Sequence, residues 1–148
     1  MINEETRVYH ENLAALLAAA LAARSQAYIP YSHFAVGAAV RTASGRIFPG
    51  CNVENAAYPS TICAERVALT SAYAAGEREI VALAVVADTP GPVSPCGTCR
   101  QVLFELAPKA QVLLGNLKGD TQLTTAQDLL PYGFEPEHLR PITAVSGQ

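Results

Sequence analysis

Ile80-Val-Ala-Leu-Ala-Val-Val-Ala87 is the stretch that decides the architecture. Its eight apolar residues run without a polar alternate and include four β-branched side chains, which predicts a buried strand. The segments around it supply the other layers. Residues 11–27 form an Ala-rich helix with Leu13, Leu16, Leu17 and Leu21 at helical spacing. Phe34 to Arg41 reads as a strand, then a Ser44-Gly45 turn and a short return strand through Ile47 and Phe48. An irregular stretch, Cys51 to Thr61, leads into a second helix from about Cys63 to Ala75, ended by Gly76. After the buried strand, Asp88-Thr-Pro-Gly-Pro is a loop, and a third helix begins at Pro95 and ends before Pro108. Gln111 to Leu114 and Gly115 to Leu123 read as two short strands, with a turn at Pro131-Tyr-Gly-Phe134. The order α-β-β-α-β-α-β-β describes one mixed sheet carrying helices, an α/β sandwich.

The chain has 148 residues, half of them hydrophobic, a length that suits one domain over 1–148 with a core of its own. Ten Lys and Arg against 13 Asp and Glu leave a net charge of −3, without the basic stripe expected of a phosphate-backbone binder. The longest apolar run, Leu13 to Ala23, is too short to cross a bilayer. Glu4, Glu5 and Glu11 stand where a secretion signal would carry positive charge, so a cytoplasmic location is expected. Arg24 is the only charge between Glu11 and Tyr28, and Glu65 and Arg66 are the only ones between Cys63 and Gly76. Helices apolar all round are buried on all sides. A chain this short has little room to enclose two of them, which predicts a subunit interface.

Four cysteines, Cys51, Cys63, Cys96 and Cys99, point to metal or catalysis more than to disulfides in such a setting. In Cys63-Ala-Glu-Arg the two ionisable side chains sit in an otherwise apolar helix, and adjacent helical residues do not face each other. Each needs a partner elsewhere, whether in a buried ion pair or in a site. In Pro95-Cys-Gly-Thr-Cys99, Ser94 is a plausible N-cap and Pro95 a good first helical residue. Cys96 and Cys99 then share one face at the positive helix end, which favours thiolates. A lone CxxC is ambiguous between a redox pair and a metal site. Cys63, Cys96 and Cys99 together would make a catalytic zinc site with one open position, and Cys51 as a fourth ligand would close it into a structural one. Only the open site gives Glu65 a task, relaying protons from water.

Cys63-Ala-Glu with Pro95-Cys-Gly-Thr-Cys-Arg-Gln resembles the zinc-dependent cytidine deaminases, whose signature is [HC]-x-E followed by P-C-x-x-C. The likeness extends from Tyr31-Ser-His-Phe through Gly50-Cys-Asn-Val-Glu-Asn-Ala-Ala-Tyr to Leu129-Leu-Pro-Tyr-Gly-Phe. The stretch Asn52-Val-Glu-Asn points to free nucleosides, and cysteine as first ligand in a short chain resembles the homotetrameric branch. The resemblance implies a single α/β/α sandwich with a mixed sheet of about five strands. It also implies hydrolytic deamination of cytidine and 2′-deoxycytidine in pyrimidine salvage. Cys63, Cys96 and Cys99 would hold one zinc ion per chain, with water or hydroxide as fourth ligand attacking C4. Glu65 would shuttle protons to N3 and to the departing ammonia. Asn52 and Glu54 would bind the ribose hydroxyls, Phe34 would pack on the base, and Ala64 joins the substrate-binding set. Ala56 and Tyr58 would reach a neighbouring subunit's ribose region, Phe134 would close a neighbour's pocket, and Arg66 would offset the thiolate charge.

Plainer readings exist for several of these residues. Phe34 suits a strand core, Asn52 and Asn55 suit Asx turns, Tyr58 loop packing, and Phe134 an anchor for the C-terminus. His10, His33 and His138 lack metal spacing, and Cys51 reads as a small buried hydrophobe. The competing functions are a deaminase of another aminated heterocycle (blasticidin S or guanine type), a nucleic-acid-editing deaminase, and a non-catalytic zinc-stabilised oligomerisation module. An editing enzyme would need a basic, aromatic-lined channel, which the charge and the absence of Trp oppose.

Overall fold

The computed structural model describes residues 3–139. The ends of the 1–148 unit therefore lie outside the described residues. The elements follow the predicted order: α1 (Glu4–Arg24), β1 (Val36–Thr42), β2 (Ile47–Cys51), α2 (Ala64–Ala74), β3 (Ile80–Ala87), α3 (Gly97–Leu106), β4 (Gln111–Asn116) and β5 (Thr121–Thr125). The five strands form one mixed sheet in the order β2-β1-β3-β4-β5. Of the hydrogen-bonded neighbours only β3 and β4 run parallel, joined by the crossover helix α3, and α2 likewise carries the chain from β2 over β1 to β3.

The central strand β3 is buried on both faces, and successive side chains serve opposite layers. Leu83 and Val85 join Ala38, Val40, Leu69 and Leu103 in the core beneath α2 and α3. Ala82, Ala84 and Val86 join Ala39, Leu16 and Ala20 beneath α1. The result is the expected α/β/α sandwich. Two glycines let the helices lie this close. A Cβ on Gly37 would stand 1.9 Å from the Ala20 carbonyl oxygen, and one on Gly50 would stand 2.4 Å from that of Ala64.

Several boundaries differ from the sequence reading. α1 starts at Glu4 rather than near residue 11, because the Asn3 side chain accepts the Thr6 N–H at 2.8 Å and Glu4 and Glu5 complement the helix dipole. β1 starts at Val36, leaving Phe34 outside the strand and 41% exposed, so it is no core residue. The strand expected at Gly115–Leu123 is divided: β4 runs on to Asn116, and β5 begins at Thr121 after a turn through Gly119. α3 starts at Gly97 with Cys96 as its N-cap residue, not at Pro95 behind Ser94. The Ser94 hydroxyl is engaged by the Arg100 guanidinium at 2.6 Å instead. Within the chain α1 is not enclosed. Leu16 and Ala20 are its fully buried residues, and Leu21 is 49% exposed.

Candidate metal centre

Three thiols converge at the starts of two helices. Cys63 is the N-cap residue of α2 and Cys96 that of α3, both with extended backbone, and neither side chain caps its helix. Each sulfur is therefore free to turn outward from its helix start. Cys99 is the third residue of α3, and N-cap and N3 side chains approach each other across a first turn, as in a capping box. The three sulfurs lie within 4.8 Å of one another, with Cys63 Sγ and Cys96 Sγ 3.9 Å apart. A tetrahedral zinc with Zn–S bonds of ~2.3 Å needs a sulfur–sulfur edge of about 3.8 Å, so the set fits that ion. Cys51 is not part of the group. It sits half-buried on β2, in an apolar groove with Ala22, Ala23 and Val67, and a closed four-cysteine site is not formed. All four cysteines are free thiols, and no histidine belongs to the cluster among the described residues.

The charges around the sulfurs are arranged to favour anions. Hydrogen bonding from Cys99 first, and then from Arg66 and Cys96, holds the Cys63 thiol down to about 5. Cys99, which shares that proton and is buried, is pushed up. Arg66 is N3 of α2 and reaches back to its N-cap residue, with Nη2 3.6 Å from Cys63 Sγ and 3.2 Å from the Thr61 carbonyl. Its Nε is buried without a partner. Three thiolates on a divalent ion carry an excess negative charge, which this guanidinium and the two helix N-termini would offset.

Glu65 is N2 of α2 and only 5% exposed. Burial pushes its carboxyl above the ordinary value, its own backbone N–H opposes this, and the Cys63 sulfur raises it further. The Cys99 thiol hydrogen-bonds to the same carboxyl. A buried carboxyl whose pKa is raised, beside a metal site, suits reversible proton transfer.

A cavity of about 270 Å³ is lined by Tyr31, Ser32, Glu54, Tyr58 and Thr61, and the Thr61 carbonyl is bonded to the Arg66 that reaches the Cys63 sulfur. The rings of Tyr31 and Tyr58 meet edge-on at 5.6 Å. Glu54 accepts the Tyr31 N–H at 2.9 Å, the Ser32 N–H at 3.2 Å, and the Ser32 hydroxyl. The Ser32 hydroxyl is the foremost cause holding its carboxyl below the usual range. Asn52 is buried and bonded on both ends, its Oδ1 accepting the Val36 N–H at 2.9 Å and its Nδ2 donating to the Phe34 carbonyl at 2.8 Å. Much of the hydrogen-bonding capacity of this pair is thus taken by the protein itself. Asn55 is the predicted Asx turn, its Oδ1 accepting the Ala57 N–H.

Of the remaining sequence candidates, Ala64 is fully buried at the start of α2, Tyr58 is 69% exposed on the cavity rim, and Ala56 is exposed in the turn before it. Phe134 does not line the cavity. It is half exposed, packs on His138 at 5.4 Å, and its carbonyl accepts a hydrogen bond from Gln101 Nε2. Sequence reading assigned no role to Tyr31, Ser32, Thr61 or Arg100. Arg100 clamps the Pro95 and Leu129 carbonyls, a tie between distant segments that no local pattern signals. Ser32 did leave a local signal, a hydroxyl two residues before Phe34, which forms an ST turn onto the Phe34 N–H at 3.0 Å.

Comparison with known proteins gives this arrangement a family. Residues 10–115 match the family described as cytidine and deoxycytidylate deaminase zinc-binding region, a span that holds all three sulfurs, Glu65 and the cavity. The cytidine deaminase of Halalkalibacterium halodurans is 53% identical over 125 residues, 84% of this chain and 95% of that protein. Among solved structures, the cytidine deaminase of Burkholderia pseudomallei superposes with a TM-score of 0.81 at 56% identity, covering 82% of this chain and 98% of the other. That of Mycobacterium tuberculosis gives 0.73 at 37% identity, covering 83% and 97%. The family match, the structural superposition and the sequence identity over most of the chain agree, and the protein belongs to the zinc-binding cytidine and deoxycytidylate deaminase family.

Proposed function

We propose that the protein hydrolyses cytidine and 2′-deoxycytidine to the corresponding uridines and ammonia, with Cys63, Cys96 and Cys99 holding one zinc ion per chain. One observation carries the reading: three thiols meet at two helix starts, and a buried carboxyl lies beside them with no ligand role of its own. Three protein ligands leave a coordination position open, as catalytic rather than structural zinc requires. When bound, the ion supplies Lewis-acid activation of water near neutral pH.

The residues do the rest. Glu65 as carboxylate takes a proton from the attacking water while the water oxygen bonds to C4 of the pyrimidine. It delivers that proton to N3. It then takes the second proton of the same oxygen to the exocyclic amine, the C4–N4 bond breaks, and ammonia departs, leaving the C4 carbonyl of uridine. Such transfers contribute about 10²–10⁴ in rate. Phe34 packs on the base, and the Tyr31–Tyr58 cavity with Asn52 and Glu54 takes the sugar. A carboxylate there suits neutral hydroxyls and repels a sugar phosphate, which separates nucleosides from nucleotides and nucleic acid.

The same reading includes a cytoplasmic homotetramer whose sites are shared, with Ala56, Tyr58 and Phe134 reaching a neighbour. The exposed apolar side of α1 and its groove against β2 support an assembly face. No helix among the described residues is long and apolar enough to cross a membrane. The test is loss of cytosine absorbance and release of ammonia when zinc-loaded protein meets cytidine, with single-stranded DNA as comparison. Turnover should stop with a chelator and return with zinc. A zinc-loaded chain that leaves cytidine unchanged refutes the proposal, and light scattering decides the subunit number.

A further inference from the structure

The loop before β1 and the segment after β2 are joined by a chain of hydrogen bonds that runs through one hydroxyl. Ser32 Oγ donates to Glu54 Oε1, and the same oxygen accepts the Phe34 N–H at 3.0 Å. The Phe34 carbonyl is in turn held by Asn52 Nδ2 at 2.8 Å, and Asn52 Oδ1 holds the Val36 N–H at 2.9 Å. The backbone of Phe34 is therefore gripped on one side by Asn52 directly, and on the other by Glu54 through Ser32. His33, between the two gripped residues, is at φ +57°, a conformation that a β-carbon-bearing residue keeps only when its surroundings impose it.

A carboxylate has about four lone-pair sites. The Tyr31 N–H, the Ser32 N–H and the Ser32 hydroxyl use three of them in Glu54, which leaves about one for a ligand. That remaining site is aimed only if the other three donors stay in place. Two of the three come from Ser32.

We propose that Ser32 is a positioning residue for nucleoside binding, whose hydroxyl couples the carboxylate that meets the sugar to the loop that carries Phe34 against the base. The inference rests on the proposed roles of Glu54 and Phe34. Ser32 is not placed to touch the reacting C4, and its effect falls on binding and not on the proton transfers. Removing the hydroxyl leaves Glu54 held only by two backbone N–H groups and releases the Phe34 N–H, so both ends of the ligand lose alignment together.

The experiment is a double-mutant cycle on the zinc-loaded enzyme with cytidine, reading KM, kcat and melting temperature for each member. Ser32→Ala should raise KM about tenfold, the size of one lost hydrogen bond to a charged group, with kcat within twofold. Ser32→Thr, which restores a hydroxyl at the same position, should recover KM to within about threefold of the parent. Glu54→Gln alone tests the underlying sugar role and should also raise KM. In the Glu54→Gln background, Ser32→Ala should add less than about threefold, because the partner it aligns has gone. If Glu54→Gln leaves KM unchanged, the sugar assignment fails. If Glu54→Gln raises KM while Ser32→Ala multiplies it by the same factor in both backgrounds, or lowers kcat and melting temperature with KM unmoved, the positioning role is overturned.

Discussion

Gly50→Ala puts one methyl group at the point where β2 supports α2, and its consequence should reach the chemistry. The added Cβ would lie 2.4 Å from the Ala64 carbonyl oxygen, 2.6 Å from the Ala68 nitrogen and 3.1 Å from the Ala68 Cβ. Ordinary contact begins at 3.4 Å, so the helix must retreat by about 1 Å. The two closest atoms are backbone, so no rotamer change relieves the clash. Overpacking of this kind costs about 1–3 kcal/mol, or roughly 3–10 °C in melting temperature for a chain this long. The functional cost should exceed the stability cost. Cys63 and Glu65 sit at the N-terminus of the displaced helix, and an error of about 1 Å in a reacting geometry can lower rate by ~10². Thermal melting, zinc content and cytidine turnover measured side by side separate the effects. Gly91→Ala is the control, since its Cβ would meet nothing within 4 Å. A Gly50→Ala variant that melts with the parent and keeps kcat within twofold would refute the claim that this close approach sets the site.

Three further outcomes follow from the same structure. Glu65→Gln replaces a buried carboxyl with its isostere and removes no metal ligand, so the variant should keep the fold and one zinc per chain while kcat falls by about 10²–10⁴; retention of most turnover would remove Glu65 from the mechanism. Cys51→Ser lies outside the sulfur cluster and should leave zinc stoichiometry and activity intact, and loss of metal would revive the four-cysteine site. Glu77 is held below the usual carboxylate range, first by the Ser44 hydroxyl and also by Arg46, from which its Oε1 lies 3.4 Å. Because its native value is lowered, its contribution is present above about pH 4.5 and is lost as pH falls through the lowered value. The stability gap between parent and Glu77→Gln in urea should therefore close on acidification, and a gap that widens there would contradict the sign.

What the sequence disclosed depended on whether the governing interaction was local. Ile80 to Ala87 was legible because a strand covered on both faces needs unbroken apolar character, and its limits agree with β3. The sulfur cluster was legible because cysteines are scarce here and their spacings suit a metal. Phe34 was ambiguous because an aromatic next to Val36 reads equally well as core, and only the Asn52 and Ser32 bonds that pull the loop off the strand decide it. Those bonds link residues 18 and 2 apart, and the longer one has no signature in composition or period. Glu4 and Glu5 were visible as charges opposed to a secretion signal, yet their part in starting α1 depended on Asn3 as the cap.

The misplacement of the third helix start explains how the site works. Ser94 followed by Pro95 is a strong start signal by ordinary capping chemistry, because a hydroxyl satisfies the first free N–H groups. Here the chain delays the helix by two residues and gives the N-cap position to Cys96, as it gives the corresponding position of α2 to Cys63. Neither thiol caps its helix, so the first N–H groups of both keep their partial positive charge turned toward the sulfurs. A better cap at either position would stabilise its helix by about 1 kcal/mol and remove a ligand. Arg100 holds this arrangement from behind by binding the Ser94 hydroxyl and the Pro95 carbonyl, which prevents Ser94 from capping in place of Cys96. The local rule fails where it does because two helix starts are kept uncapped to concentrate negative charge on three sulfurs beside a buried acid.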